Sequence, residues 1–356
     1  MGYLKFVKIG IDRAVNEILI WPSIKLKKCL VKPVHVYWMM SRSCNFRCQF
    51  CHTYRINENK EDLVTFPEIK RVIDEMAKWG ITQMGLSGGE PLLNIPRLMD
   101  TLEYANKKGL YTHFVTNAYL LTEEVLQKYS SIGGGYVTIS IDGLERVHDT
   151  SRGTKGSFSR CINALEMISR LRLKNVKMKI TTVLNDNNLD EILGVVSIAE
   201  KYGVPILITP YNSAQWDKVN HEDEPCWVSR GNLEKLKSVV GRLVEIRKNK
   251  GNFIINPTRQ LREFLVYFEN KIHGESKVCL LGYTNITIHE NGDVACCFAG
   301  VVGNIKNKSL REIWYSKEYE RARQRMLTCT SLCLAGCRFR FSLAELIKLG
   351  ISWLLK

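Results

Sequence analysis

The chain has no apolar run approaching the roughly 20 residues needed to cross a bilayer as a helix. Its first residues, MGYLKFVKIGIDRAVNEILIW, lack the layout of a secretory signal, because Asp12, Arg13 and Glu17 interrupt any apolar core. No internal repeat stands out beyond a β-α period, and no tract is of low complexity. Acid is scarce: 36 Asp and Glu face 51 Lys and Arg, a net charge of +15. These absences exclude a spanning helix and argue against a secreted disulfide scaffold, so a cytoplasmic location is expected. The basic excess asks for acidic partners, namely a redox protein, nucleic acid or an anionic membrane surface. Charge alone is weak evidence for nucleic acid, and without an appended RNA-binding motif it is not an expected partner.

Against these absences stand twelve cysteines in 356 residues of otherwise ordinary composition, 45% hydrophobic and 24% charged. Three of them, Cys44, Cys48 and Cys51, form a CxxxCxxC group directly after an apolar run. In a reducing compartment such clusters bind metal or do redox chemistry. Zinc sites favour two-residue spacings and a fourth ligand, and a cubane 4Fe-4S cluster is normally held by four Cys. A site built on three leaves one metal position open for chemistry.

Taken in order, residues 1–33 form a basic amphipathic segment, with Lys5, Lys8, Asp12 and Asn16 on one side of a helical projection and Leu4, Val7, Ile11, Val15 and Ile18 on the other. It would either cap an open end of the main domain or lie on a membrane surface. Residues 34–212 alternate β-rich runs with amphipathic helices. The predicted strands are 34–40, 81–87, 110–116, 136–142, 177–184 and 204–209. Thr65 and Glu68 have capping-box spacing ahead of a helix over 66–79. Six such β-α repeats predict an α/β fold, a partial (β/α)6 parallel barrel with right-handed crossovers.

Residues 213–278 read as a helical connector, with helices expected over 229–248 and 257–271 and a surface loop containing His221, Cys226 and an acidic run from Glu222 to Glu224. Residues 279–340 read as a small cysteine-rich α+β module. Runs at 284–288 and 294–297 flank Asn291-Gly292, a type I′ hairpin signal, and a helix is expected over 309–326. Cys329, Cys333 and Cys337 close the module, and residues 341–356 form a second amphipathic end.

Functional groups on parallel α/β barrels sit on the loops after the C-terminal ends of strands. The first such loop carries the cysteine triplet. The second reads Gly88-Gly89-Glu90, where two glycines allow close backbone approach to a ligand and Glu90 supplies an acceptor for an ammonium group. The next two end in Thr116-Asn117 and in Ser140 and Asp142, suited to hydroxyl groups or a carboxylate.

Placed together on successive strand ends, these residues resemble the radical S-adenosylmethionine superfamily, whose cysteine motif carries an aromatic where Phe50 stands. The resemblance covers about residues 34–210. It implies that Cys44, Cys48 and Cys51 hold a 4Fe-4S cluster whose fourth iron takes the amino and carboxylate groups of S-adenosylmethionine. Gly88, Gly89 and Glu90 would bind the methionine amino group, while Thr116, Asn117, Ser140 and Asp142 would line the nucleoside end. Reductive cleavage would give a 5′-deoxyadenosyl radical that abstracts hydrogen from a substrate, fed by a low-potential donor such as an acidic ferredoxin or flavodoxin. The closing module resembles the SPASM or twitch extension. It lacks that pattern's two-residue and five-residue spacings, which implies one auxiliary 4Fe-4S cluster on Cys279, Cys297 or Cys296, Cys333 and Cys337, with Cys329 competing; a structural zinc site is the alternative.

The substrate is less constrained. Two basic amphipathic ends suggest a membrane-associated lipid or isoprenoid. The alternatives are a SPASM-type peptide maturase, a tetrapyrrole-modifying enzyme and, in another class, a non-enzymatic iron-sulfur carrier or assembly protein, which would have no use for the Gly88-Gly89-Glu90 loop.

Overall fold

The computed structural model describes residues 2–56, 59–212, 224–269, 279–297 and 300–328. The calls on Cys329, Cys333 and Cys337, on His221 and on the 341–356 end therefore fall outside the described residues.

In the barrel portion, helix α1 (Gly2–Lys25) precedes β1 (His35–Met39), α2 (Phe66–Trp79), β2 (Gln83–Ser87), α3 (Ile95–Lys107), β3 (Tyr111–Thr116), α4 (Glu123–Ser131) and β4 (Gly135–Ser140). Next come α5 (Glu145–Arg152), α6 (Ser157–Leu171), β5 (Val176–Leu184), α7 (Ile192–Lys201) and β6 (Ile206–Pro210). All six strands pair parallel, in the order β6-β5-β4-β3-β2-β1. Helix α2 shows why the sequence folds as it does. Thr65 and Glu68 close the capping box, Ile69, Val72, Ile73 and Met76 are buried on one face, and Gly80 ends the helix at φ 81°.

Each strand alternates between two surroundings. Val36, Trp38, Met84, Leu86, Phe114 and Ile180 belong to the core under the helices. The opposite row, including His35, Tyr37, Gly85, His113 and Lys179, therefore lines the barrel lumen.

Connector helices α8 (Leu233–Asn249) and α9 (Thr258–Phe268) pack on each other and against this edge. Asn256 bonds both the amide (2.8 Å) and the carbonyl (2.7 Å) of Ile208. The C-terminal module extends the sheet. Strand β7 (Asn285–Ile288) lies parallel to β1, followed by antiparallel β8 (Asp293–Ala295) and β9 (Val301–Asn304), then α10 (Leu310–Trp314) and α11 (Lys317–Leu327).

Two expectations need correction, and one left open is filled in. The 289–293 hairpin does not turn as type I′, which needs two positive φ values. Only Gly292 has one (91°), and its N–H donates to His289 O at 3.0 Å, as in a type I turn closed by a glycine bulge. The 309–326 helix is two helices, because Ser316 accepts from the Tyr319 amide at 3.1 Å and starts a new one. Helix α1 turns its polar side inward: Asp12 pairs with Lys32 at 3.0 Å and Asn16 donates to Lys32 O at 2.7 Å. Its apolar side, with Ile11, Val15, Ile18 and Trp21, faces solvent. A polar barrel end explains this orientation, since the side that caps it must satisfy polar groups. No described helix is long and apolar enough to cross a membrane.

Candidate functional site

The loop after β1 brings Cys44, Cys48 and Cys51 close enough for their charges to interact. Phe46 is buried beneath the loop and meets Tyr119 edge-on at 5.6 Å, and Arg47 ties the Cys44 and Phe46 carbonyls at 2.8 Å each. The Phe46 amide donates to Cys44 Sγ at 3.4 Å. Burial raises the Cys44 thiol, and raises that of Cys48 to about 11. As free thiols these groups keep their protons, and binding a metal would reverse that.

The Gly88-Gly89-Glu90 loop runs against this segment. A Cβ on Gly88 would stand 2.2 Å from Ser41 O, and one on Gly89 1.9 Å from Ser43 O. Both positions therefore require glycine. Glu90 is 3% exposed, and its carboxylate accepts from Thr116 Oγ1 (2.8 Å), Asn117 N (2.8 Å) and Leu92 N (3.1 Å). The sequence predicts this carboxylate as an acceptor for an ammonium group; in the structure it ties the second strand end to the third. Asn117 carries the tie onward, its Nδ2 donating to Asn45 Oδ1 in the cysteine loop at 2.9 Å.

Asp142 is likewise committed. It is 0% exposed, pairs with Arg152 at 2.5 Å and accepts from the Val183 amide at 2.7 Å. Ser140 is buried, and its carbonyl accepts from the Cys161 thiol at 3.6 Å. The sequence reading missed Arg152. Its guanidinium lies 3.8 Å from Cys48 Sγ and 5.2 Å above the Phe50 ring, and Gln49 N donates to Ser151 O at 2.9 Å. Burial opposes the Arg152 charge, but Asp142 and Cys48 outweigh it and raise the pKa. The available signal was His148-Asp149 preceding Arg152-Gly153 at the end of α5. His148 Nδ1 accepts from the Asp142 amide at 3.1 Å, and Asp149 accepts from the Ser157 hydroxyl and Phe158 amide at 2.8 Å each.

In the C-terminal module Cys279 and Cys297 are half-buried, whereas Cys296 is 2% exposed with its sulfur 3.1 Å from Met326 Sδ. Burial pushes the Cys296 thiol up to about 12. Cys297 takes φ 54°, a reversal that sends consecutive cysteines to different surroundings. Arg42 pairs with Glu290, and Val64 N donates to Glu290 O at 2.9 Å, joining this module's hairpin to the cysteine loop.

Among the described residues no three His, Cys, Asp or Glu converge on a single metal ion. A four-iron cube takes one thiolate per iron and needs its ligands spread around it. Three neighbouring thiols over an aromatic floor, with a cation beside one sulfur, fit such a cluster.

Comparison with known proteins agrees. Residues 38–198 match the Radical SAM superfamily, and residues 279–338 match the SPASM iron-sulfur cluster-binding domain. The AdoMet-dependent heme synthase of Methanosarcina barkeri is 27% identical, over 86% of this chain and 92% of its own length. Mycofactocin maturase MftC of Mycolicibacterium smegmatis is 28% identical over 52% of this chain and 46% of its own length. Streptococcus suis SuiB bound to S-adenosylmethionine shares the fold, with a TM-score of 0.63 at 16% identity, covering 82% of this chain and 68% of that one.

Proposed function

The chain belongs to the radical SAM superfamily and carries a SPASM module, so it is an enzyme that uses S-adenosylmethionine and iron-sulfur clusters; within that class we propose that its substrate is a carboxylated tetrapyrrole. The observation that carries this reading is the match to a heme synthase, 27% identical over 86% of this chain, against 23% over 80% for a PqqA peptide cyclase.

Cys44, Cys48 and Cys51 would hold the first cluster, which when bound supplies the electron that splits S-adenosylmethionine and so starts hydrogen abstraction. Backbone carbonyls of Gly88 and Gly89 would accept from the ammonium of S-adenosylmethionine, in a loop whose missing side chains let it pack directly on Ser41 and Ser43. Glu90, Thr116 and Asn117 position that loop, Ser140 and Asp142 hold the end of β4, and Asp142 orients Arg152 against Cys48. Phe46 and Phe50 keep water from the sulfur ligands. Cys279 and Cys297, with Cys333 and Cys337, would hold one auxiliary cluster, Cys329 competing for a place. The charge of +15 suits an acidic ferredoxin or flavodoxin as electron donor.

The lipid or isoprenoid substrate expected from the basic ends has no counterpart among these relatives. A peripheral membrane contact has separate support in the outward apolar face of α1, beside Lys25, Lys27 and Lys28. Flotation on anionic vesicles tests it, and a chain that stays in the unbound fraction removes it. Peptide modification is the second reading, favoured by the maturase matches.

The deciding experiment is anaerobic incubation of the iron-loaded protein with dithionite, S-adenosylmethionine and an iron-loaded coproporphyrin. The tetrapyrrole reading expects faster 5′-deoxyadenosine formation and a change in the mass of the macrocycle. A turnover rate and macrocycle mass that both stay unchanged would sink it.

A further inference from the structure

The lumen of the barrel carries a cluster of basic side chains, and no acid among the described residues pairs with it. His35 on β1 and His113 on β3 stand with ring centroids 4.9 Å apart, on either side of Gly85 on β2. A Cβ on Gly85 would come within 2.3 Å of His113 Nε2 and 3.1 Å of His35 Nε2, so both ring nitrogens converge on space that a glycine keeps open. His35 is 7% exposed, and its Nε2 has no hydrogen-bond partner. Lys179 projects from the lumen row of β5, and among the described residues its ammonium makes neither an ion pair nor a hydrogen bond. The charged groups that act on His35 are His113, Arg13 and Lys179, and the one acting on His113 is Lys179, all of them basic. Arg13, on the inward side of α1, feels Glu17 and is therefore not counted as free.

A desolvated ammonium beside an unpartnered imidazole is costly unless an acceptor joins it. Among the described residues no carboxylate does so. We infer that Lys179, His35 and His113 form a subsite for a carboxylate of the substrate, Lys179 supplying the charge and the imidazoles N–H donors. Lys179 lies four residues below Val183 and His35 four below Met39, so the subsite is about 13 Å deep from the mouth at 3.3 Å per residue. The carboxylate bound there belongs to a group remote from the reacting carbon, and the substrate must be long enough to span that depth. A tetrapyrrole with acidic side chains on opposite edges meets this requirement. The inference rests on the tetrapyrrole reading only for the owner of that carboxylate.

Two probes separate the two ideas: absorbance titration of the iron-loaded protein with coproporphyrin, and calorimetry with a linear dicarboxylate such as suberate. Lys179→Met should weaken binding of whichever probe the wild type takes by about tenfold or more, the worth of one charge-assisted contact. Lys179→Arg should retain most of the affinity, and the tetramethyl ester of the porphyrin should bind wild type and Lys179→Met alike. Iron content and melting temperature show that each variant is folded, and His35→Gln serves if Lys179→Met is not. Equal coproporphyrin affinity in wild type and Lys179→Met overturns the subsite and leaves the tetrapyrrole reading standing. Suberate binding that depends on Lys179, without porphyrin binding, does the reverse. Binding of neither probe refutes both.

Discussion

Replacing Arg152 by Met removes the cation beside Cys48 while keeping an unbranched side chain over Phe50. The guanidinium lies 3.8 Å from Cys48 Sγ and 2.5 Å from the Asp142 carboxylate, and Asp142 is completely buried. Two consequences follow. Breaking a buried ion pair from one side is destabilising by about 3–5 kcal/mol, a large part of the roughly 5–15 kcal/mol that holds a domain together. Asp142→Asn should therefore rescue much of the loss in the double variant, since it removes the stranded charge. The second consequence is electrochemical. A hydrogen bond to a charged group is worth about 1.5–3 kcal/mol. At 59 mV per tenfold for one electron, that is roughly 60–130 mV. Arg152→Met should lower the midpoint potential of the first cluster by that order, because the reduced cluster carries the extra negative charge. Asp142→Asn alone should raise it, by leaving the arginine uncompensated. Anaerobic redox titration followed by EPR, on chains whose auxiliary cysteines are replaced, reads one cluster at a time. Shifts of the same sign in the two single variants, or none beyond about 20 mV in Arg152→Met, would refute the assignment of Arg152 as a positioning residue for cluster charge.

Gly89→Ala should abolish S-adenosylmethionine binding by equilibrium dialysis, because its Cβ would sit 1.9 Å from Ser43 O; Gly241→Ala, which meets nothing within 4 Å inside α8, should instead raise stability by about 0.5–1 kcal/mol in urea melts. Cys297→Ala should lower iron content from about eight to about four per chain, whereas Cys296→Ala should leave it near eight. Ile20→Ser should cost about 3 kcal/mol and Ile18→Ser under about 0.5, since the first is 0% and the second 72% exposed; similar losses would mean that α1 is turned the other way. Burial holds His113 at about 3 and His148 at about 4, below the ordinary 6.5. The unfolded chain therefore takes up protons that the fold refuses, and stability should fall as pH drops from about 6.5 towards 4, by up to a few kcal/mol in chemical melts, with no such loss above 6.5.

The strands and α2 were legible because alternation and the Thr65–Glu68 box are local signals, and the cysteine and glycine loops were legible because metal spacing and close backbone approach restrict residue type. What could not be read was direction. Glu90 and Asp142 lie on ligand-facing loops, and a sequence shows neither that Thr116, Asn117 and Leu92 claim the first carboxylate nor that Arg152 claims the second. Arg152 sits ten residues beyond Asp142, on a helix whose docking against the cysteine loop is purely tertiary. The orientation of α1 was not legible either, because amphipathicity gives two sides but not which one meets the protein. A polar lumen made the polar side the buried one.

The arrangement of the C-terminal module follows from the same sheet. Strand β7 pairs with β1 from His35↔Asn285 to Trp38↔Ile288, so the hairpin that leads to Cys296 and Cys297 is in register with the strand that leads to Cys44. Arg42 and Glu290 pair across the gap, Trp314 Nε1 bonds Val31 O at 2.9 Å, and Leu310 N bonds Glu75 Oε2 at 2.8 Å. A module joined by a strand ladder and by these side-chain bonds cannot rock against the barrel without breaking several hydrogen bonds at once, which is not a low-energy opening. The distance between the two cysteine groups is thereby set by strand register. Substrate access must come from the loops that border the lumen; at the end of β6 the Tyr211 hydroxyl is tied to the Glu224 carboxylate at 2.7 Å. That places selectivity in the barrel wall and its mouth, and leaves the cysteine-rich module as a fixed wall.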